Sequence, residues 1–240
     1  MKSKLIKFAQ VAGISLALVF TFSCSGGDND GGGDPNNGGT SSPSGGGNSG
    51  GGSSPSGGGI KYGEMKDKGG KTYKTVKIGN QTWMAENLNY ETAGSVCYDK
   101  KEANCVTYGR LYDWETAMSA CPNGWHLPDT TEWKILWVAV GGYRTAGGYL
   151  KSKSGWEKGG NGEDKYGFSA LPGGLSDSGV YYEAGGESGY WWSASEHNSG
   201  SAYNMYMLSS YSGVGGVGGS DDSHLDKDIF LISVRCLKDD

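Results

Sequence analysis

The chain has 240 residues, with 21 Lys and Arg against 26 Asp and Glu and a net charge of −5 at neutral pH. That acidic balance argues against a nucleic-acid-binding protein, which would carry a basic face. Glycine fills 45 positions, far above the usual ~7%, yet it shows no three-residue period, which excludes collagen. Disorder along the whole chain is excluded too, because residues 60–240 keep enough apolar sequence to bury a core.

In chain order, Lys2, Lys4 and Lys7 precede an apolar run from Val11 to Phe22. A helix of that length spans roughly 18 Å, short of the ~30 Å of a bilayer core. Residues 1–23 therefore read as a signal peptide. Thr21-Phe22-Ser23-Cys24 resembles a bacterial lipoprotein processing site, so Cys24 is the expected lipidated residue and membrane anchor. Removing the three lysines leaves 18 basic against 26 acidic residues, a net charge of −8. Such a surface is repelled by anionic lipid, so acyl chains have to hold it there. Ser25 rather than Asp follows Cys24, which by resemblance to bacterial sorting rules points to the outer membrane. Residues 24–59 then form the lipidated Cys plus a Gly/Ser-rich linker. Ser25 to Gly59 holds 16 glycines in 35 residues and no large apolar side chain. It reads as a disordered tether with a reach of roughly 30–35 Å.

The remaining residues, 60–240, read as one domain. Thr72 to Trp83 carries strand positions at Tyr73, Val76, Ile78 and Trp83 around an Ile-Gly-Asn-Gln turn, which predicts a hairpin. Asp113 to Ala120 lacks breakers and suits a short helix, and Trp125 to Leu127 a short extended piece. Asp129 and Glu132 form a capping box. Trp133, Leu136, Trp137 and Val140 follow at the spacing of one helix face, stopped by Gly141-Gly142. From Tyr143 to about Asp228 the sequence is rich in Gly, Ser and Tyr. Only short islands stand out there, at Tyr149-Leu150, Phe168 to Leu171, Tyr190 to Ala194 and Ala202 to Leu208. Ile229 to Leu237 predicts a single C-terminal strand. Two helices, terminal strands and a long loop region make an α+β domain.

Cys97, Cys105, Cys121 and Cys236 are the cysteines of this domain. An even number in an exported domain implies two disulfides. Of the three connectivities, Cys97–Cys105 with Cys121–Cys236 is favoured. The first closes a short polar loop, and the second staples mid-domain to the last strand. The spacings contain no C-x2–4-C pair, which argues against zinc.

Several pieces recur in fixed order: Thr75 to Asn89, Gly109-Arg-Leu-Tyr-Asp-Trp114, Cys121-Pro-Asn-Gly-Trp-His-Leu-Pro128, Gly167-Phe-Ser-Ala-Leu-Pro172, Trp191-Trp-Ser-Ala-Ser-Glu196 and Ser233-Val-Arg-Cys-Leu-Lys238. Together they resemble the Fibrobacter succinogenes major paralogous domain over roughly residues 62 to 238. That family resembles, more remotely, the C-type-lectin-like fold and the sulfatase-modifying domains. The resemblance implies a disulfide-stapled lectin-like domain with two helices, short antiparallel strands and long Gly/Tyr-rich loops. It also implies paired N- and C-terminal strands and a disulfide from the first helix to the last strand, which supports Cys121–Cys236. It brings no established activity.

The candidate chemistry is a binding surface. The domain holds 8 Trp and 15 Tyr, residues whose ring faces pack on sugar C–H groups while their polar atoms meet hydroxyls. Trp83, Trp114, Trp125, Trp133 and Trp137 sit on periodic elements and are expected in the core. Tyr181, Tyr182, Trp191, Trp192, Tyr206 and Tyr211 are the candidate ligand-binding residues, with one of the two tryptophans assigned to the core by alternation. Acidic clusters at Asn161, Glu163 and Asp164 and at Asp221, Asp222, Asp226 and Asp228 could hold calcium. They lack the sugar-binding motifs of lectins and the spacing of an EF-hand, so no cofactor is expected. No catalytic residues are assigned, because the cysteine pair of the sulfatase-modifying enzymes has no counterpart here. His126 is expected to be structural, and His197 and His224 to lie in loops. Gly213 to Gly218 matches GxGxxG only literally and reads as a loop. The expectation is a non-catalytic surface lipoprotein whose lectin-like head binds a carbohydrate or a protein. A structural or assembly component of the cell envelope is the alternative, and a diverged oxidase is less favoured.

Overall fold

The computed structural model describes residues 59–240 except 184, 218 and 220. The expected signal peptide, Cys24 and nearly all of the linker lie outside the described residues. The fold is α+β, with far more sheet than helix. Its elements are β1 (Tyr62–Lys66), β2 (Thr72–Ile78), β3 (Gln81–Met84), β4 (Ser95–Val96), α1 (Glu102–Tyr108), β5 (Leu111–Tyr112) and α2 (Trp114–Ala120). After these come β6 (Trp125–His126), α3 (Thr130–Ala139), α4 (Ala146–Leu150), β7 (Leu175–Asp177) and β8 (Val180–Tyr182). The chain closes with β9 (Ser188–Asn198), β10 (Ser201–Leu208), β11 (Gly215–Gly216), β12 (His224–Asp226), β13 (Phe230–Ser233) and β14 (Leu237–Lys238). No helix among the described residues is long and apolar enough to cross a membrane.

The predicted hairpin is β2–β3, with Ile78 opposite Gln81. Its two-residue turn needs a positive φ at the first position, and Gly79 supplies +59°. Asp113 caps α2 by accepting from Thr116 N at 2.7 Å. The capping box of α3 is complete: Asp129 accepts from Glu132 N, and Glu132 accepts from Asp129 N, each at 2.8 Å. Trp133, Leu136 and Trp137 then face inward.

Both disulfides form as the cysteine spacing suggested, Cys97–Cys105 and Cys121–Cys236. The bridged loop from Cys97 to Cys105 is not irregular, because Glu102–Tyr108 winds into α1. With α4 this makes four α-helices among the described residues, where the sequence showed two.

The C-terminal strand is also two strands. One sheet runs β1-β2-β3-β14-β6 and the other β11-β10-β9-β13-β5-β4, with β12 beside β10 and β7–β8 beside β13. The chain leaves the second sheet after Ser233 and joins the first at Leu237, which pairs with Trp83. The crossing residues are still bonded: Val234 O accepts from Leu88 N and Cys236 O from Met84 N. Alternating apolar residues predict extended backbone here, but not that the backbone changes sheets.

Two apolar clusters fill the interior. One gathers Trp83, Trp133, Trp137, Phe168, Trp191 and Met205, and the other Met84, Leu88, Tyr112, Trp192, Ile232 and Cys236. The Trp83 and Trp133 rings lie 4.7 Å apart. At Trp191 and Trp192, β9 runs between the clusters, with one ring in each, which is why both are fully covered.

Candidate ligand-binding cleft

A polar cleft of about 390 Å³ opens beside the β9–β10 hairpin, lined by residues that include Lys158, Glu183, Glu187, Tyr190, Tyr206 and Ser209. Tyr190 and Tyr206 are cross-strand partners. Their ring centroids are 5.8 Å apart and the planes are tilted by 40°. The Tyr190 hydroxyl donates to Glu183 Oε2 at 2.7 Å, and the Tyr206 hydroxyl donates to Asp221 Oδ2 at 2.6 Å. Burial and the Glu183 charge push the Tyr190 phenol well above its ordinary value. Tyr190 therefore stays protonated, and both side chains present an aromatic body with a hydroxyl already oriented by a carboxylate.

The frame around these groups is built from backbone geometry. Glu183 sits at φ +62°, a left-handed conformation that costs a non-glycine residue about 1 kcal/mol or more. The turn holds it there, with Ser188 N donating to Glu183 O at 3.1 Å. Such strain at a residue whose carboxylate lines a cleft fits a functional placement. Glu187 pairs with Lys158 at 3.3 Å across the rim. Lys151 is buried, with its ammonium donating to Leu208 O and Tyr211 O at 3.0 Å each. Burial lowers its pKa, and the two bonds fix the turn after β10 that forms one wall. On β11, a Cβ at Gly215, the register partner of Tyr206, would strike the Tyr206 ring. Glycine is required there so that β11 can lie against that ring. The GxGxxG-like run is thus partly strand rather than a free loop.

The candidate residues named from sequence do not form one patch. Tyr206 lines the cleft, whereas Tyr181, Tyr182 and Tyr211 do not. Tyr181 packs its ring on Tyr98 at 5.2 Å, and Tyr182 is exposed on β8. Trp191 and Trp192 cannot be ligand residues: each has 0% exposure. Their indole N–H groups donate to Asn87 Oδ1 at 2.9 Å and to Tyr112 O at 2.7 Å. Alternation failed because β9 has a cluster on each side at these two positions. Reading the sequence alone missed Lys158, Glu183 and Glu187, and it placed Tyr190 only in a general aromatic region. The available signal was the presence of tyrosine in both of the islands that became β9 and β10.

The acidic clusters are engaged in loop bonds. Asp164 accepts from Ser169 N and Oγ, Asn161 from Trp156 N, and Asp226 from Asp228 N. Asp221 also accepts from Gly216 N at 2.8 Å. His126 bridges Asp239 at 2.6 Å and Glu132 at 2.9 Å. Burial opposes its charged form, but the two carboxylates outweigh that and raise its pKa. His197 and His224, expected in loops, lie on β9 and β12.

The Fibrobacter succinogenes major domain matches residues 76–238, more than half of the chain. The chain belongs to that family. No curated protein and no solved structure matches it. The matched range begins within β2 and runs to β14, and it contains both disulfides, the cleft and both clusters apart from Met65 and Tyr73.

Proposed function

We propose that this is a non-catalytic lipoprotein, exported and anchored through Cys24 to the outer membrane. Its head, a C-type-lectin-like variant of the family fold, binds a carbohydrate in the Tyr190–Tyr206 cleft. The observation that carries this reading is the pair of half-buried phenols, each bonded to a carboxylate, in an open polar cleft. Ring faces suit pyranose C–H surfaces, while Glu183, Asp221 and the serine hydroxyls suit sugar O–H groups. The linker of residues 24–59 gives that head reach from the membrane.

Titration of the full chain in detergent with a panel of neutral cell-wall and capsule oligosaccharides, followed by intrinsic fluorescence, tests the proposal. We expect saturable binding that Tyr206→Ala abolishes. Failure of every saccharide to bind removes the carbohydrate reading.

A protein ligand is the second reading, and one observation favours it. On α3, Ile135 and Val138 are 46% and 62% exposed and line a mainly apolar hollow with Gly79 and Ala139. Apolar side chains at that exposure suit an envelope-protein partner. Ile135→Asp weakens capture of such a partner from membranes and leaves saccharide titration unchanged.

A further inference from the structure

The three histidines of the chain are His126, His197 and His224. His126 uses both ring nitrogens on carboxylates. The other two are arranged differently. Their rings are stacked, with centroids 3.8 Å apart and planes within 9° of each other. Both residues are exposed.

Two strands bring them together around β10. His224 is the register partner of Tyr203. His197 falls where the β9–β10 register shifts, since Asn198 faces Ser201 and Glu196 faces Ala202. That irregularity is a bulge, which leaves His197 as the unpaired residue and re-aims its side chain. The imidazole then reaches Tyr203, edge-on at 5.2 Å between centroids.

Each ring is anchored through the same nitrogen. His224 Nδ1 lies 3.1 Å from Asp222 O, and His197 Nδ1 lies 3.1 Å from the Tyr203 hydroxyl. A carbonyl can only accept, so Nδ1 of His224 is the donor in this contact, and in the neutral ring Nε2 is the lone-pair donor. Tying the remote ring nitrogen to a backbone carbonyl is how metal-bound imidazoles are oriented. Neither Nε2 has a hydrogen-bond or ion-pair partner among the described residues.

We propose that His197 and His224 form a two-histidine site for a divalent transition-metal ion, with Nε2 of each ring as ligand. Zinc, copper and nickel are the class that imidazole prefers. In the stack the two Nε2 lone pairs lie in nearly parallel planes, so one exposed ring has to turn out of the stack about its side-chain torsions for both nitrogens to meet one ion at the roughly 2.0–2.1 Å a metal–imidazole bond requires. Water completes the coordination shell. This site is separate from the Tyr190–Tyr206 cleft and does not depend on the carbohydrate reading.

Equilibrium titration of the full chain with Zn²⁺, repeated with Cu²⁺, tests this directly. Wild type and His126→Ala should bind one ion with equal affinity. His197→Ala and His224→Ala should each lose roughly ten-fold or more, at least what loss of an outer-shell partner costs a metal site. Both variants change exposed side chains, and thermal unfolding without metal verifies that they fold. As a second readout, Cu²⁺ should broaden the ring resonances of two of the three histidines and spare His126. Equal binding by wild type and both variants, absence of binding by wild type, or broadening of His126 alone would overturn the site.

Discussion

The stretch from Tyr62 to Val140 and the stretch from Tyr143 to Asp228 pack on the same interior by different means. In the first, apolar side chains recur at strand and helix periods, and Trp83, Trp133 and Leu136 are buried because the periodicity puts them there. In the second, glycines let backbone approach backbone, and buried polar side chains satisfy the irregular carbonyls. Arg235 reaches across to do this. It donates to Asn87 Oδ1 at 2.8 Å, Met84 O at 3.2 Å and Ser169 O at 3.0 Å, and also to Phe168 O. Burial pulls its pKa down to about 9, and no carboxylate pairs with it among the described residues. Lys151 repeats the device on the turn after β10. A region that looks like loose loop in composition is fixed by side-chain donors rather than by apolar repeats.

The largest effect that would break this contrast comes from the cysteines. Replacing Cys121 and Cys236 by Ala should cost about 4–5 kcal/mol, because the separation is 115 residues. Removing Cys97–Cys105, only 8 residues apart, should cost about 2–3 kcal/mol. Denaturant unfolding of the two double variants measures the difference, and equal losses would contradict it. Next, Arg235→Met should cost about 3 kcal/mol, since carbonyls at Phe168, Ser169 and Met84 lose a buried donor. The loss should exceed that of an exposed Arg144→Met control, read in the same denaturant experiment.

Alkaline titration sharpens the comparison from the side of the phenols. Burial raises Tyr73, Tyr112 and Tyr190, with Asp67 adding to the first and Glu183 to the third. Their folded values lie above the ordinary 10.0, so they ionise later in the folded chain than in the unfolded one. Their contribution to stability is whole below about pH 10 and is lost as the pH rises from there toward the folded values. Tyrosinate absorbance should show a late group that ionises only with unfolding, and Tyr73→Phe should make that group smaller.

Two smaller effects follow. Gly215→Ala should cost about 1–2 kcal/mol from crowding against Tyr206 and weaken saccharide binding by displacing that ring. Asp129→Ala should cost about 1 kcal/mol through the lost cap of α3, with binding unchanged. Melting curves and the saccharide titration check both.

This contrast also explains what was legible in the sequence. The β2–β3 hairpin, α2, the capping box and the apolar face of α3 could be read because each is encoded within a few neighbouring residues. The disulfides could be read from loop length and the order of elements. β9 could not be assigned faces, because burial on both sides erases alternation at Trp191 and Trp192. Arg235 within an apolar run gave no hint that it anchors Phe168 and Ser169, a contact 66–67 residues away. The cleft was half visible: tyrosines marked its region, but Glu183 and Glu187 join it only through a turn that no short motif announces.

The stretch from Tyr143 to Asp228 is thus a fixed scaffold for the cleft. Amide hydrogen exchange tests it most directly. The bonded amides of Gly148, Ser152, Lys165 and Ala170 should be protected nearly as strongly as those of α3, and Arg235→Met should release Ala170 before Trp137. Free exchange of these four amides in the wild-type chain, with α3 still protected, would contradict the account.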